Sequence, residues 1–465
     1  MIAPQSSVIL ASDVSSLSVY ETGTMYAVDQ VLNRTMYFGN SGAALQLEDL
    51  DGNIADAIVY GNGPTESNGW NGISVVEPFV GLSNLIYVRG DGCGSLPDTN
   101  TSVDWYLRWQ ILGGSAHCGA RAESGSFDIT PLIGPDSGIH DVLKWINEAE
   151  ESLHLHVYQF HSNHLAQALM DAHDRGVHVH VVLDAGDTWW NDYDLDQHKG
   201  VAATLSNYGI DVQWFGTSSE VPYAYLHSKI AVRDNTSVWV SSGNWKSSSL
   251  PADGDSGNRE WSMLLENEAF ADIVLQHLSI DEDERRTYLT PVDASDMPIG
   301  WTLDQPEPLV GQTSSPIVTT ATAELLVCPD VCINGLVDML NGADEEILLS
   351  LQYLDLDWSY GWGENPIIEA LQSAALRGVQ IRLILNGAFL DEDIQSTVDL
   401  FNEEWNASLG YDTSAIIMAT NDTISKLHNK GAIIDGQQVL ISSINWATPH
   451  SFATEKWELS SPVKT

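Results

Sequence analysis

The same short pattern occurs twice in this chain, 201 residues apart, and any fold must accommodate both copies. His227-Ser228-Lys229, four residues and Asp234 make up H-x-K-x4-D, and His428-Asn429-Lys430, four residues and Asp435 repeat it. Ser242 and Asn244 follow the first copy at the distance at which Ser443 and Asn445 follow the second. The chain has 14 His and 8 Lys. A chance match to the string then has an expectation of roughly 0.02, and two in register far less.

The repeat is longer than the motif. Leu132-Ile133-Gly134-Pro135-Asp136 opens one copy and Leu326-Val327-Cys328-Pro329-Asp330 the other. Apolar strand-like stretches follow at 153–158 and 347–352, then helical stretches ending in Arg175-Gly176-Val177 and Arg377-Gly378-Val379. Glycine at a helix end with β-branched residues after it suits a helix-to-strand connection, and strands are expected at 178–183 and 380–385. The H-x-K strand comes about 45 residues later in both halves. Each half reads strand, helix, strand, helix, strand, which predicts α/β layering with a largely parallel sheet. Two such halves can pack face to face and bring both motifs to one cleft.

Paired His, Lys and Asn are what phosphodiester chemistry needs. A neutral imidazole can attack phosphorus, and a protonated one can donate to the leaving oxygen. Lys229, Lys430, Asn244 and Asn445 can offset charge on the non-bridging oxygens. The residues alone leave open which histidine attacks.

These motifs resemble the phospholipase D superfamily over roughly residues 128–465. Ser241 and Ser442 stand where that family often has Gly before the trailing Ser. The resemblance implies two similar α/β lobes related by pseudo-twofold symmetry, lobe 1 at 128–280, a linker at 281–316 and lobe 2 at 317–465, with the catalytic unit formed within one chain. It implies His227 as nucleophile through a phosphohistidine and His428 as acid/base. It also implies a downstream acidic residue holding each imidazole: Glu260 for one, and Glu455 for the other, with Glu458 as competitor. Such a carboxylate fixes the tautomer and stabilises imidazolium. Asp234 and Asp435 are expected to brace the motif strand. Ser242 and Ser443 either bind phosphate or shape the turn. No metal or other cofactor is required by this design.

The first ~115 residues read all-β. Asp51-Gly52-Asn53 between Ala44–Glu48 and Ile54–Tyr60 is a hairpin signal. This stretch resembles a lamin-tail domain, a small immunoglobulin-like sandwich of some secreted hydrolases. Its usual opening strands are missing, so Met1 is expected to start a fragment; the domain's ligand is left open.

Two further patterns bear on partners. Aromatic loops at Trp189-Trp190 and at Trp358 to Trp362 follow early strands, where α/β proteins gather ligands. They could meet a lipid surface, stack on bases or pack as loops. His154 and His156, and His178 and His180, form H-x-H pairs. Each could be half a zinc site, but the second repeat has Ile347, Leu349, Gln380 and Arg382 at those places, which favours packed or hydrogen-bonded strand histidines.

Charge narrows the substrate. With 64 acidic and 19 basic residues the net charge is −45. Acid spread through both lobes suits a surface kept hydrated in high salt; the rival is binding of cations or basic partners. At about 1 M salt the Debye length is near 3 Å, so repulsion of anionic lipid or nucleic acid largely vanishes. Low basic content still disfavours duplex binding, which relies on Lys/Arg contacts to phosphates. The expected substrate is therefore a phospholipid head group, with a secreted endonuclease as alternative and an inactive adhesion protein as third reading. Four cysteines, paired as Cys93–Cys118 and Cys328–Cys332, would fit an extracellular or cell-surface location, against four free thiols. Five N-x-S/T sequons, at Asn33, Asn100, Asn235, Asn406 and Asn421, are compatible with export.

Overall fold

Arginine–glycine–valine closes the second helix of each repeat, and the structure shows why. Gly176 and Gly378 both have φ of +93°, the left-handed conformation that turns the chain out of a helix. The structure, a computed structural model, describes residues 8–11, 24–27, 41–49, 51–75, 85–89, 99–109, 121–186, 190–217, 225–252, 255–282, 288–309, 311–328, 332–356, 365–388, 392–447 and 456–462.

The chain divides into two compact units, Met1–Cys118 with Asp283–Thr287, and Gly119–Glu282 with Tyr288–Thr465. The described part of the first unit holds three two-stranded sheets: β1 (Val8–Ala11) with β2 (Thr24–Ala27), β3 (Gly42–Glu48) with β4 (Ile54–Gly61), and β5 (Leu85–Arg89) with β6 (Trp105–Trp109). The β3–β4 pair is the hairpin expected at Asp51-Gly52-Asn53. Val59, Tyr60, Trp70 and Val75 form its small core.

The second unit carries the repeat. Its first half runs β7 (Ala122–Gly134), α1 (Ile139–Asn147), β8 (Ser152–Val157), α2 (Asn163–Asp174), β9 (His178–Asp184), α3 (Asp192–Tyr208), β10 (Asp211–Phe215), β11 (Lys229–Arg233), β12 (Ser237–Ser241), β13 (Gly257–Glu266) and α4 (Glu268–Asp281). After β14 (Leu289–Pro291) the second half runs β15 (Ile317–Cys328), α5 (Cys332–Asn341), β16 (Glu346–Leu351), α6 (Pro366–Arg377), β17 (Gln380–Asn386), α7 (Glu392–Asp399), β18 (Thr413–Met418), β19 (Ile424–Leu427), β20 (Lys430–Ile434), β21 (Gln438–Ser442) and β22 (Lys456–Pro462). Local sequence supports these elements. Ser162 caps α2 through the Leu165 N–H, and Asn365 caps α6 with Pro366 just inside, where its missing N–H costs nothing.

One mixed sheet connects the halves. The order in the first half is β10-β9-β8-β11-β12-β13-β7, and from β15 it continues β22-β21-β20-β16-β17-β18, the same succession in reverse. The expectation of a largely parallel sheet fails. Within this sheet only β8-β9-β10, β16-β17-β18 and the β13–β19 contact are parallel. The reason is that each H-x-K strand returns antiparallel and continues through a tight turn into the next strand. The halves also join edge to edge, through antiparallel pairing of β7 with β15. Phe127, Ile230, Phe270, Leu325 and Ile441 form a core shared by both halves.

The segment between the halves runs against the first half. β14 pairs with β10, and the Trp301 ring lies on Gly200 of α3, where an added Cβ would meet ring carbon at 2.2 Å. Cys328 and Cys332 form a disulfide at the start of α5; Cys93 and Cys118 lie outside the described residues. Among the described residues no helix is long and apolar enough to cross a membrane.

Candidate active site

A single strand brings the two motifs together. β13 belongs to the first half, yet it pairs in parallel with β19, which leads into His428. The Arg259 carbonyl accepts the N–H of both His428 and Asn429, each at 3.0 Å. Glu260 is the next residue, and its carboxylate lies 2.7 Å from His428 Nδ1. Trp261 follows and its ring lies against Gly431, where a Cβ would meet it at 2.3 Å; a larger residue there would push the strands apart. In the opposite direction, His227 Nδ1 lies 3.1 Å from the Ser443 carbonyl of the second half. Each motif histidine is thus held by a group from the other half.

The rest of each motif is built alike. Lys229 and Lys430 are buried, and each ammonium donates to the carbonyl of its own histidine, Lys229 to His227 at 2.7 Å. Asp234, at φ +52°, accepts the N–H groups of Glu150, Glu151 and Ser152, while Asp435, at φ +53°, accepts those of Asp344, Glu345 and Glu346. Both aspartates therefore anchor the turn after the H-x-K strand to the strand before it. The Ser241 and Ser442 hydroxyls accept the N–H two residues on and hold the turn that presents Asn244 and Asn445.

A family profile described as "Cardiolipin synthase, PLD-like domain" matches residues 142–281 and 336–461, more than half of the chain, with one motif in each segment. The chain belongs to this family. It is 34% identical over 115 residues to the mitochondrial cardiolipin hydrolase of Xenopus tropicalis, covering 25% of this chain and 49% of that protein. It is 23% identical over 278 residues to the cardiolipin synthase of Clostridium perfringens, covering 56% of this chain and 52% of that protein. The chain spans about half the length of the curated relatives it matches. In fold it is similar to the phosphatidylserine synthase of Haemophilus influenzae, with a TM-score of 0.54 and 10% identity, over 73% of this chain and 84% of that one.

Within this PLD-like domain the two histidines sit in different electrostatic settings. Burial opposes charge on Glu260, but His428, Lys430 and the Ser242 hydroxyl outweigh it and hold the carboxyl down at about 2. Ser242 donates to Glu260 at 2.6 Å and Ser249 at 2.8 Å, so Ser242 positions the carboxylate. The Ser443 hydroxyl is buried without a hydrogen-bond partner among the described residues. Burial pushes His428 down to about 3 against the pull of Glu260, so its ring is neutral, with Nδ1–H toward the carboxylate.

Several neighbours of the site escape motif reading. The Tyr158 ring lies 4.5 Å from the His227 ring and 5.0 Å from the Lys229 ammonium. Trp190 donates to the Tyr158 hydroxyl at 2.8 Å, and Gln159 accepts from the Asn244 amide at 3.1 Å. Lys426 precedes His428 by two residues and lowers its pKa; Lys246 follows Asn244 by two and pairs with Asp194 at 2.9 Å. The other repeat has Tyr225 and Ala447 at these two places, so comparison of the halves hides both lysines. Four of the 8 lysines thus belong to the motifs or stand within two residues of them. Trp189, Trp358, Trp362 and Glu455 lie outside the described residues. In the sheet register Lys456 stands opposite Cys328, as Glu260 stands opposite Gly134, and Glu458 stands opposite Leu326 and Ser442.

Proposed function

We propose that this chain is a phospholipase D-like phosphodiesterase acting on phospholipid head groups, by hydrolysis or by transfer to an alcohol. The observation that carries it is the crossed pair, His428 on Glu260 and His227 on the Ser443 carbonyl, with a buried lysine behind each ring. Donation from Nδ1 to the Ser443 carbonyl fixes the His227 tautomer, so that the neutral ring has its Nε2 lone pair free for phosphorus. His227 Nε2 bonds to phosphorus as the bond to the leaving oxygen breaks, and protonated His428 gives its Nε2 proton to that oxygen. His428 then takes a proton from water or alcohol, which attacks phosphorus and expels His227. Because burial keeps His428 neutral in the free site, its protonation is coupled to arrival of the anionic phosphate, and Glu260 balances the imidazolium. Lys229 and Lys430 bind the non-bridging oxygens.

The same reading takes the two halves as pseudo-twofold lobes and the first unit as a lamin-tail-like sandwich. It also takes the protein as exported and adapted to salt, which the Cys328–Cys332 disulfide and the net charge of −45 support.

One competition assay in high salt tests this. Phosphatidylcholine/phosphatidylglycerol vesicles, single-stranded DNA and ethanol share a tube, with His227→Asn as control. Phosphatidylethanol formed only by the wild type is the expected result. DNA cleavage without lipid product would move the chain to the nuclease branch. No turnover of either would favour a binding protein on an enzyme fold.

A further inference from the structure

Four of the 14 histidines stand together on one face of the first half, away from both motifs in the chain. His154, His180 and Asp211 form one rung across β8, β9 and β10, with Val232 of β11 completing it. His156 is two residues along β8, hence on the same face. Neighbouring Val232 and Ile230 pack in the core that contains Phe270, Ile273 and Val274 of α4. Glu282, at the C-terminal end of α4, reaches this face: His154 Nδ1 lies 3.0 Å and His180 Nδ1 3.2 Å from Oε2, and His156 Nε2 lies 3.2 Å from Oε1.

We infer that His154 Nδ1, His180 Nδ1 and Glu282 form a binding site for a divalent transition-metal ion of the zinc type, with His156 as fourth ligand or as the group that orients the carboxylate. Three observations support it. The donor atoms of His154, His180 and Glu282 all lie within 4.8 Å of one another. Bonds of about 2.0–2.1 Å in a tetrahedral zinc site give ligand–ligand edges of about 3.3 Å, close to the 3.0 and 3.2 Å from Glu282 Oε2 to the His154 and His180 rings. Second, His180 Nε2 is buried without a hydrogen-bond partner among the described residues, and the nearest carboxylate, Asp211, is 3.7 Å away. If a neutral His180 merely donated Nδ1–H to Glu282, Nε2 would be a bare buried acceptor facing an anion. With metal on Nδ1, Nε2 carries the proton and faces Asp211, the carboxylate–histidine–metal arrangement. Third, Glu282 sits at the negative end of a helix whose last turn has no basic residue. A carboxylate there is disfavoured, and a dication removes the conflict.

Among the described residues the second half has no such set. Its counterparts in the sheet are Leu348, Ser350, Gln380 and Arg382; for the first pair this is one residue beyond the positions expected from sequence. The expectation of packed or hydrogen-bonded strand histidines took each H-x-H pair alone. It missed Glu282, about 100 residues further on, which gathers three of the rings. The site would pin the end of α4 to β8 and β9.

Chelator-treated full-length protein, titrated with cobalt(II) in high salt, tests the inference. One equivalent should bind with the visible absorption of a four-coordinate nitrogen/oxygen site. His180→Ala and Glu282→Gln should weaken binding at least 100-fold, and Asp211→Asn about 10-fold as an outer partner. His178→Ala, whose exposed ring lies 6.0 Å from His154, should bind like the wild type. X-ray absorption of the wild-type zinc form should show at least two imidazoles near about 2.0 Å, which needs no variant to fold. No stoichiometric binding, equal binding by His180→Ala, or zinc without imidazole would each overturn it. None of these readouts depends on phosphodiesterase activity.

Discussion

Replacing Glu260 by Gln removes one buried negative charge and little else. The Gln oxygen can keep the bonds from His428 Nδ1 (2.7 Å) and the Ser249 hydroxyl (2.8 Å). The new amide nitrogen faces the Ser242 hydroxyl, which now donates at 2.6 Å and would have to accept. That mismatch costs about 1–2 kcal/mol of stability. The effect on turnover should be larger. With charge centres about 4 Å apart and an effective dielectric of 20, the carboxylate stabilises an imidazolium at His428 by about 4 kcal/mol. At 1.36 kcal/mol per tenfold in rate, losing it slows the protonated step about 10³-fold. The assay is turnover of a soluble chromogenic phosphodiester across pH, beside thermal unfolding. Glu260→Gln should fold, bind substrate with little change in KM, lose about three decades in kcat and shift the basic limb of the profile downward. A variant with wild-type kcat and an unmoved pH profile would refute the assignment of Glu260 to His428. A collapse in melting temperature matching the lost activity would make Glu260 a structural residue only.

Other perturbations separate structure from chemistry. Asp234→Asn loses the charge that accepts three backbone N–H groups, and asparagine tolerates the positive φ; urea unfolding should show a loss of about 1–3 kcal/mol with turnover per folded molecule nearly unchanged. Burial pushes His198 down to about 4, and both ring nitrogens are held, Nδ1 by the Phe160 N–H and Nε2–H on the Asp184 carbonyl. The unfolded chain takes up this proton near pH 6.5 and the folded one only near 4, so stability present above 6.5 falls as pH drops through that window, by about 3 kcal/mol. Urea midpoints from pH 7.5 to 4.5 in high salt should show this contribution, and His198→Gln should reduce the slope by about that amount. Trp190→Phe removes the bond to the Tyr158 hydroxyl, worth about 1 kcal/mol, and should lower turnover about fivefold on soluble and vesicle substrates alike. A loss confined to vesicles would instead put Trp190 at the lipid surface.

Much of the site is visible in the chain because its parts are short-range. H-x-K puts histidine and lysine at positions i and i+2 at the start of a strand, and the trailing Ser-x-Asn lies in the turn just past the next strand of the same hairpin. The Arg-Gly-Val helix ends and the Asp-Gly-Asn hairpin are likewise local conformational requirements. Tyr158, Gln159 and Glu282 could not be found that way. Their roles depend on strands and a helix brought alongside from elsewhere, and the repeat offers no matching residue as a guide.

By itself, then, the sequence determined the repeated elements, the two sets of His, Lys and Asn, and Glu260 as a downstream acidic partner. The repeated elements and the two sets follow from backbone preferences or from residue types within a few positions, and Glu260 follows from the resemblance to the family. Only the tertiary structure decided that Glu260 holds the histidine of the other half rather than its own. It also decided that the sheet is mixed and that four strand histidines share a face with one carboxylate. Those outcomes rest on which strand edges pair, β13 with β19 and β7 with β15. Pairing of distant edges is governed by the packing of the whole unit, and no local pattern encodes it.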